Sequence, residues 1–126
     1  MLIVMVRAAA ELTGNIWYLM APAVGVLGTF ISGSNTVSNI MFGAFQLNTA
    51  YEVGLPAVSI LALQAVGGAA GNMICIHNVV AVLTTVGLLG REGTVIRKNL
   101  PIALLYALLA GALAWVITPL VSRILL

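Results

Sequence analysis

A cluster of short polar side chains interrupts an otherwise apolar part of the chain. Within residues 34–39, five of the six residues are serine, asparagine or threonine, namely Ser34, Asn35, Thr36, Ser38 and Asn39. Residues four positions apart stack on one face of a helix, so the two serines and the two asparagines form stacked pairs. Such residues are good helix N-caps, and the unpaired N–H groups at a helix N-terminus stabilise a carboxylate. The cluster therefore predicts a binding site for a small carboxylate, although the same side chains could instead only hydrogen-bond neighbouring helices.

A second cluster combines glycines with amide side chains. Gly67, Gly68 and Gly71 permit the close approach of a solute or of another backbone, and Asn72 and Asn78 follow them. The spacing of the first and last of these glycines also fits a notch for helix packing. We expect Gly71, Asn72 and Asn78 to contribute to the same site as the first cluster.

His77 is an ionisable side chain inside a long uncharged run, from Val53 to Gly90. An ionisable residue at membrane depth is a functional candidate, and imidazole changes its charge near neutral pH. His77 is therefore a candidate for proton coupling during transport. The alternative is a neutral histidine that hydrogen-bonds a backbone carbonyl and has only a structural role.

The sequence lacks the residues that several kinds of chemistry require. Cys75 is the single cysteine, so it has no second thiol with which to form an intrachain disulfide or share a metal. The sequence contains no phosphate-binding motif of the G-x-x-x-x-G-K type, no H-E-x-x-H motif and no pair of carboxylates at membrane depth. We therefore expect neither an enzyme nor a bound metal or cofactor.

The composition places the chain in a lipid bilayer. Hydrophobic residues make up 62% of the 126 residues and charged residues 6%, whereas about 25% of the residues of a typical soluble domain are charged. The net charge of +2 is too small, and too confined to the ends of the apolar segments, to predict a nucleic-acid surface.

Two uncharged runs are too long for a single membrane span. Residues 15–48 and 57–89 would each form a helix of about 50 Å, against a hydrocarbon core of about 30 Å. Small polar residues at 32–36 favour a turn, so residues 15–48 are predicted to form a re-entrant helical hairpin. The glycine-rich residues 67–72 predict a broken transmembrane helix over residues 56–90. Irregular backbone at membrane depth needs protein or a water-filled cavity around it, so we expect the two interruptions to converge.

The remaining segments complete the prediction of an all-α polytopic membrane protein. Residues 1–14 are interpreted as a helix stub followed by an external amphipathic segment. Residues 91–99 hold three of the five basic residues and are predicted to form a cytoplasmic loop. Residues 100–122 are predicted to form a C-terminal transmembrane helix, on which a stripe of small residues indicates close packing against another helix. The stripe consists of Ala103, Ala107 and Gly111.

Three stretches of the sequence together resemble the C-terminal part of the L-lactate permease family. They are Ser32 to Asn39, Leu63 to Val80 and Gly87 to Gly93, and the resemblance extends over roughly residues 21–111. It implies a secondary transporter that imports L-lactate, glycolate and similar small monocarboxylates by proton symport across the bacterial inner membrane. Because members of the family are much longer, it also implies that an N-terminal half of the permease is missing from this chain.

The Ser34-Asn35-Thr36 element is similar to the Ser-Asn-Thr hairpin tips of the ion-transporter superfamily of carboxylate carriers. That similarity implies that the chain is the second-repeat part of an inverted-repeat transporter, with Gly71 and Asn72 at the adjoining helix break. It also implies a homodimer. Some members of the superfamily use Na⁺, so the choice between H⁺ and Na⁺ stays open.

Two other interpretations of the chain remain open at this point. The first is a non-transporting membrane fragment of a split or frameshifted permease gene, whose polar clusters only pack. The second is a small oligomeric channel, in which the hairpins of several copies line a pore. Whether the chain transports a solute alone is equally open.

Overall fold

The computed structural model describes residues 1–124, and this part of the chain is helical without strands. Gly14–Ile16 form a 3-10 turn between the first two of the α-helices, which we number in chain order. The helices are α1 Leu2–Thr13, α2 Trp17–Ser32, α3 Asn35–Glu52, α4 Ala57–Gly71, α5 Ile76–Thr85 and α6 Glu92–Ile124.

Within the described residues, three segments are long and apolar enough to cross a membrane. They are Leu2–Ser32, which combines α1 and α2, Ala57–Thr85, which combines α4 and α5, and Glu92–Val121 on α6. Together with the helical content, these segments confirm the prediction of an all-α polytopic membrane protein.

The chain reverses direction between α2 and α3. Gly33 follows α2 with φ 78°, and its N–H donates to the carbonyl of Thr29 at 2.8 Å. A left-handed residue at the end of a helix is usually glycine, because a Cβ atom is unfavourable in that conformation. Ser34 then caps α3, since its hydroxyl accepts from the Val37 N–H at 3.4 Å. The turn lies where the polar residues at 32–36 predict it.

The second arm of this hairpin is longer than predicted. Helix α3 continues past residue 48 to Glu52, because Thr49 and Ala50 are fully buried and extend the packed face of the helix. Gly54, at φ 69°, and Pro56 then separate α3 from α4.

The break in the second long run lies later than predicted. Helix α4 runs unbroken through Gly67 and Gly68 to Gly71, and the non-helical residues are 72–75. The first two glycines are buried where α2 crosses α4, and a Cβ atom on Gly67 would collide with the backbone carbonyl of Pro22. These glycines therefore allow close helix packing and do not interrupt the helix.

The predicted loop at 91–99 is helical from Glu92 onward. Helix α6 begins at Glu92, whose carboxylate accepts from the N–H of Gly90 at 3.0 Å. Ile96 packs against a buried cluster on α2, α4 and α6, and Asn99 donates to the carbonyl of Met73 at 3.1 Å. These contacts attach the segment to the rest of the protein, so the prediction of a loop over these eight helical residues is wrong.

The N-terminal segment also differs from its interpretation. The predicted stub and the amphipathic stretch after it form one helix, α1, which ends at Thr13 and is followed by Gly14 with φ 48°. Helix α1 packs against α3.

Helix α2 lies at the centre of the molecule, where it packs against α3, α4 and α6. The predicted stripe of small residues on α6 forms one of these contacts, because Ala103, Ala107 and Gly111 are buried. A Cβ atom on Gly111 would lie 2.6 Å from the backbone carbonyl oxygen of Tyr18 on α2. The prediction of close helix packing at this stripe is confirmed.

Candidate functional site

The hairpin turn and the break between α4 and α5 meet in space. A Cβ atom on Gly33, in the turn, would lie 3.1 Å from Nδ1 of His77 and 3.5 Å from Sγ of Cys75. The two interruptions are separated by about forty residues of sequence and therefore converge as expected from the length of the two runs. We call this junction, formed by residues 33–36 and 72–78, the tip site.

Two helix N-termini contribute to the tip site. Helix α3 begins at Asn35 and α5 begins at Ile76. Cys75, the N-cap of α5, makes no side-chain capping hydrogen bond. The first N–H groups of a helix have no partner inside that helix and carry its positive dipole end. The tip site can therefore stabilise an anion with backbone groups of both helices.

His77 and Cys75 differ in their exposure. The imidazole is exposed, whereas the thiol is fully buried, and Nδ1 lies 3.7 Å from Sγ. The histidine thus borders the hairpin turn with an exposed ring. Its role in proton coupling stays a prediction.

Asn35 and Thr29 present buried oxygens to α4. Asn35 Oδ1 and Thr29 Oγ1 have no hydrogen-bond partner within residues 1–124, although both atoms are buried. A Cβ atom on Gly68 would contact the Asn35 oxygen and lie 3.2 Å from that of Thr29. Thr29 lies next to this site but is not among the residues predicted from the sequence. The feature that could have indicated it is a threonine one turn before Gly33 in an apolar helix.

The other residues of the first cluster point in different directions. Thr36 is exposed, and Ser34 and Asn39 are partly buried. The Oδ1 atom of Asn39 is a third buried oxygen without a partner among the described residues. Ser38 is fully buried, and its hydroxyl donates to the Gly25 carbonyl at 3.1 Å. Ser38 is therefore occupied within the helix interface and does not face the tip site.

Ser38 belongs to a buried hydrogen-bond network that joins α2, α3 and α4. Gln64 donates to the Ser38 hydroxyl at 3.1 Å and accepts from Gln46 at 2.8 Å. Gln46 also donates to the carbonyl of Ala21 at 2.9 Å and accepts from the indole N–H of Trp17 at 3.0 Å. A network whose members are all paired orients its side chains and rigidifies the helices that carry them. It holds the two arms of the hairpin against α4.

The predicted residues of the second cluster, Gly71, Asn72 and Asn78, lie in two places: at the break before α5 and in the interface between α2 and α4. Asn78 donates to Oδ1 of Asn72 at 3.1 Å, so the two amides link the break to the first turn of α5. Gly71 is buried against α2, since a Cβ atom there would lie 2.7 Å from the Val26 carbonyl oxygen. Gly71 therefore serves helix packing, whereas Asn72 and Asn78 lie within the tip site.

Comparison with known proteins identifies the family. A family model described as L-lactate permease matches residues 1–121. A Haemophilus influenzae protein whose name assigns it provisionally to the L-lactate permeases is 44% identical over 114 residues. The L-lactate permease and the glycolate permease of Escherichia coli K12 are 32% and 31% identical over 101 and 99 residues. No solved structure matches this chain.

The chain spans about a fifth of the length of these relatives. The match covers 90% of this chain but 21% of the Haemophilus protein, and 80% of this chain but 18% of the E. coli L-lactate permease. The relatives are permeases, which are transport proteins and not enzymes. With a family match over nearly its whole length, this chain belongs to the L-lactate permease family.

Proposed function

We propose that this chain forms part of a secondary carrier that imports L-lactate, glycolate and similar small monocarboxylates across the bacterial inner membrane. Its family and the names of its relatives support a lactate or glycolate substrate. The observation that carries the proposal is the meeting of two helix N-termini at the tip site, because Gly33 lies against His77 and Cys75.

In this proposal the substrate carboxylate binds between the N-termini of α3 and α5. The donors are the first N–H groups of both helices, except the Val37 N–H that already donates to Ser34, and the hydroxyl of the exposed Thr36. A carboxylate accepts several such bonds at once. Ser34, Asn35 and Asn39 border the bound anion on α3, and Asn72 and Asn78 border it on the other side.

Uptake in this proposal is coupled to protons through His77, which lies 3.7 Å from Cys75 at the edge of the tip site. Protonation of an exposed imidazole beside the bound carboxylate would favour binding by charge attraction. Coupling to Na⁺ is the alternative.

The proposal includes two partners, the remaining helices of a longer permease and a second copy of the same carrier. Exposed apolar side chains on α6, among them Leu104, Leu105 and Leu109, fit lipid or such helices.

The proposal is tested with a chimaeric permease in which residues 1–121 replace the matching segment of the Haemophilus relative. We expect it to restore L-lactate uptake to cells that lack lactate and glycolate carriers. Asn35→Ala and Thr36→Ala should each lower that uptake about tenfold or more, the factor that corresponds to one lost hydrogen bond to a charged group.

The matched control is Asn48→Ala, since Asn48 is an exposed amide on the same helix and donates to its own helix at Ala44. It should leave uptake unchanged. The proposal is contradicted if the chimaera reaches the membrane in normal amount without uptake, or if Asn35→Ala and Thr36→Ala transport as well as the control.

A further inference from the structure

We infer that Gly68 is a positioning residue, which leaves room for the Asn35 carboxamide oxygen against α4 and so directs the amide N–H groups toward the substrate. The inference rests on the proposed function, because it assigns Asn35 to the carboxylate site. Gly68 lies on α4 against Asn35 of the hairpin tip and, without a side chain of its own, acts through that neighbour.

The space beside the Cα atom of Gly68, which we call the seat, holds a single atom of a neighbouring side chain. A Cβ atom on Gly68 would overlap Asn35 Oδ1, so the amide oxygen occupies the space that any other residue would fill. Thr29 Oγ1 lies 3.2 Å from the same Cβ position. Among the residues that the structure describes, this hydroxyl has no acceptor and the neighbouring carboxamide oxygen has no donor.

The orientation of the carboxamide decides its chemistry. The amide oxygen and nitrogen lie on opposite sides of one carbon, so an oxygen seated against α4 directs the N–H groups away from that helix. No hydrogen bond to another described residue occupies those N–H groups. They can donate to a carboxylate, whereas the reversed amide would present an oxygen and repel it.

Position 68 has to be a glycine, because a side chain there would compete with the Asn35 oxygen for the same space. An unpaired buried acceptor is unfavourable, and it would leave the interface if a side chain competed for its space. With an alanine at position 68, the carboxamide has to turn outward and loses its orientation. The Thr29 hydroxyl lies beside the same space without a hydrogen bond to the oxygen, and its polar group suits the oxygen end of the amide better than an apolar neighbour would.

The test is a double-mutant cycle in the chimaeric permease, with the KM for L-lactate and the amount of carrier in the membrane as readouts. Gly68→Ala and Asn35→Ser should each raise KM about tenfold or more. If Gly68 acts through Asn35, adding Gly68→Ala to Asn35→Ser should raise KM no further. Gly43→Ala is the control, because Gly43 is a helical glycine with no atom near its Cβ position, and KM should stay unchanged.

A second pair of variants covers the case in which Gly68→Ala does not fold. Thr29→Val removes the hydroxyl with little change of shape and should raise KM, whereas Thr29→Ser should retain the wild-type KM. The inference is overturned if the effects of Gly68→Ala and Asn35→Ser multiply, or if Thr29→Val transports like wild type. An unchanged KM in Asn35→Ser alone would instead overturn the proposed function.

Discussion

At the scale of single residues, Gln64 connects the two arms of the hairpin to α4. Its side chain is buried, accepts from Gln46 and donates to Ser38. Gln64→Leu fills a similar volume but leaves polar groups unpaired in the interface. We expect this change to lower the free energy of unfolding of the chain in detergent by about 1–2 kcal/mol.

Thermal and denaturant unfolding of the purified chain check this value. The control is again Asn48→Ala, an exposed amide whose loss should change the free energy of unfolding by less than about 0.5 kcal/mol. Equal stability of the Gln64 and Asn48 variants would show that the network does not stabilise the fold.

His77 is the residue at which proton coupling is tested. His77→Gln keeps a hydrogen-bonding side chain at the tip site but removes the imidazole to which the proposal assigns proton coupling. In the chimaeric permease we expect this variant to lose most of the stimulation of L-lactate uptake by an inward proton gradient. Exchange of internal for external lactate without a gradient should be retained.

The experiment compares initial uptake rates with and without the imposed gradient. An undiminished response to the gradient would return His77 to a structural role beside Cys75. A response that follows a Na⁺ gradient in the wild-type chimaera would favour the alternative coupling ion.

At the scale of secondary-structure elements, the sequence predicted that both long runs are interrupted but not where the second one breaks. Chain length against bilayer thickness is a strong constraint, so the turn at Gly33 and the existence of a break followed from it. The local sequence does not distinguish a glycine that ends a helix from a glycine that lets two helices pack closely, however. The pattern therefore predicts Gly67 and Gly68 at the break, although the backbone of α2 explains Gly67 and the Asn35 side chain explains Gly68.

Ser38 shows the same limit for side chains. A serine beside Asn35 and Asn39 has the chemistry of a ligand, and the helical period alone does not tell which face is buried. Its place in the network depends on Gln64, which is 26 residues away in the sequence. Such long-range partners are set by the packing of α3 on α4 and are not visible in a local pattern.

The hairpin turn itself is tested by two alanine substitutions of opposite expected sign. Gly33 has φ 78°, so Gly33→Ala should lower the free energy of unfolding by about 1–2 kcal/mol. Gly43 lies inside α3 with open space at its Cβ position, so Gly43→Ala should raise it by about 0.5–1 kcal/mol. Unfolding of the two purified variants in the same detergent provides the comparison, and two changes of equal sign would contradict the assigned turn.

At the scale of the whole molecule, the tip site forms where the hairpin turn and the break between α4 and α5 meet, near the middle of two long apolar segments. Helix α2 holds them together, because it packs against α3, α4 and α6. Small residues on α4 and α6 allow this close packing, as the buried Gly67, Ala107 and Gly111 show. The sequence predicted the class of protein and the convergence, since both depend on composition and length. The partners of each helix face depend on the three-dimensional arrangement.

The arrangement makes a prediction about membrane orientation. If α4 and α5 together cross the bilayer and α6 crosses back, the end of α3 lies outside the cell and the start of α6 lies in the cytoplasm, where Arg91, Arg97 and Lys98 favour it. Cysteine introduced at Glu52 should then react with a membrane-impermeant maleimide in intact cells. Cysteine at Thr94 should react only after the membrane is permeabilised. Both positions are exposed, whereas the native Cys75 is fully buried and should remain unlabelled, so each signal reports its own site. Labelling of both introduced cysteines from one side would mean that α4 and α5 enter and leave the membrane on the same face.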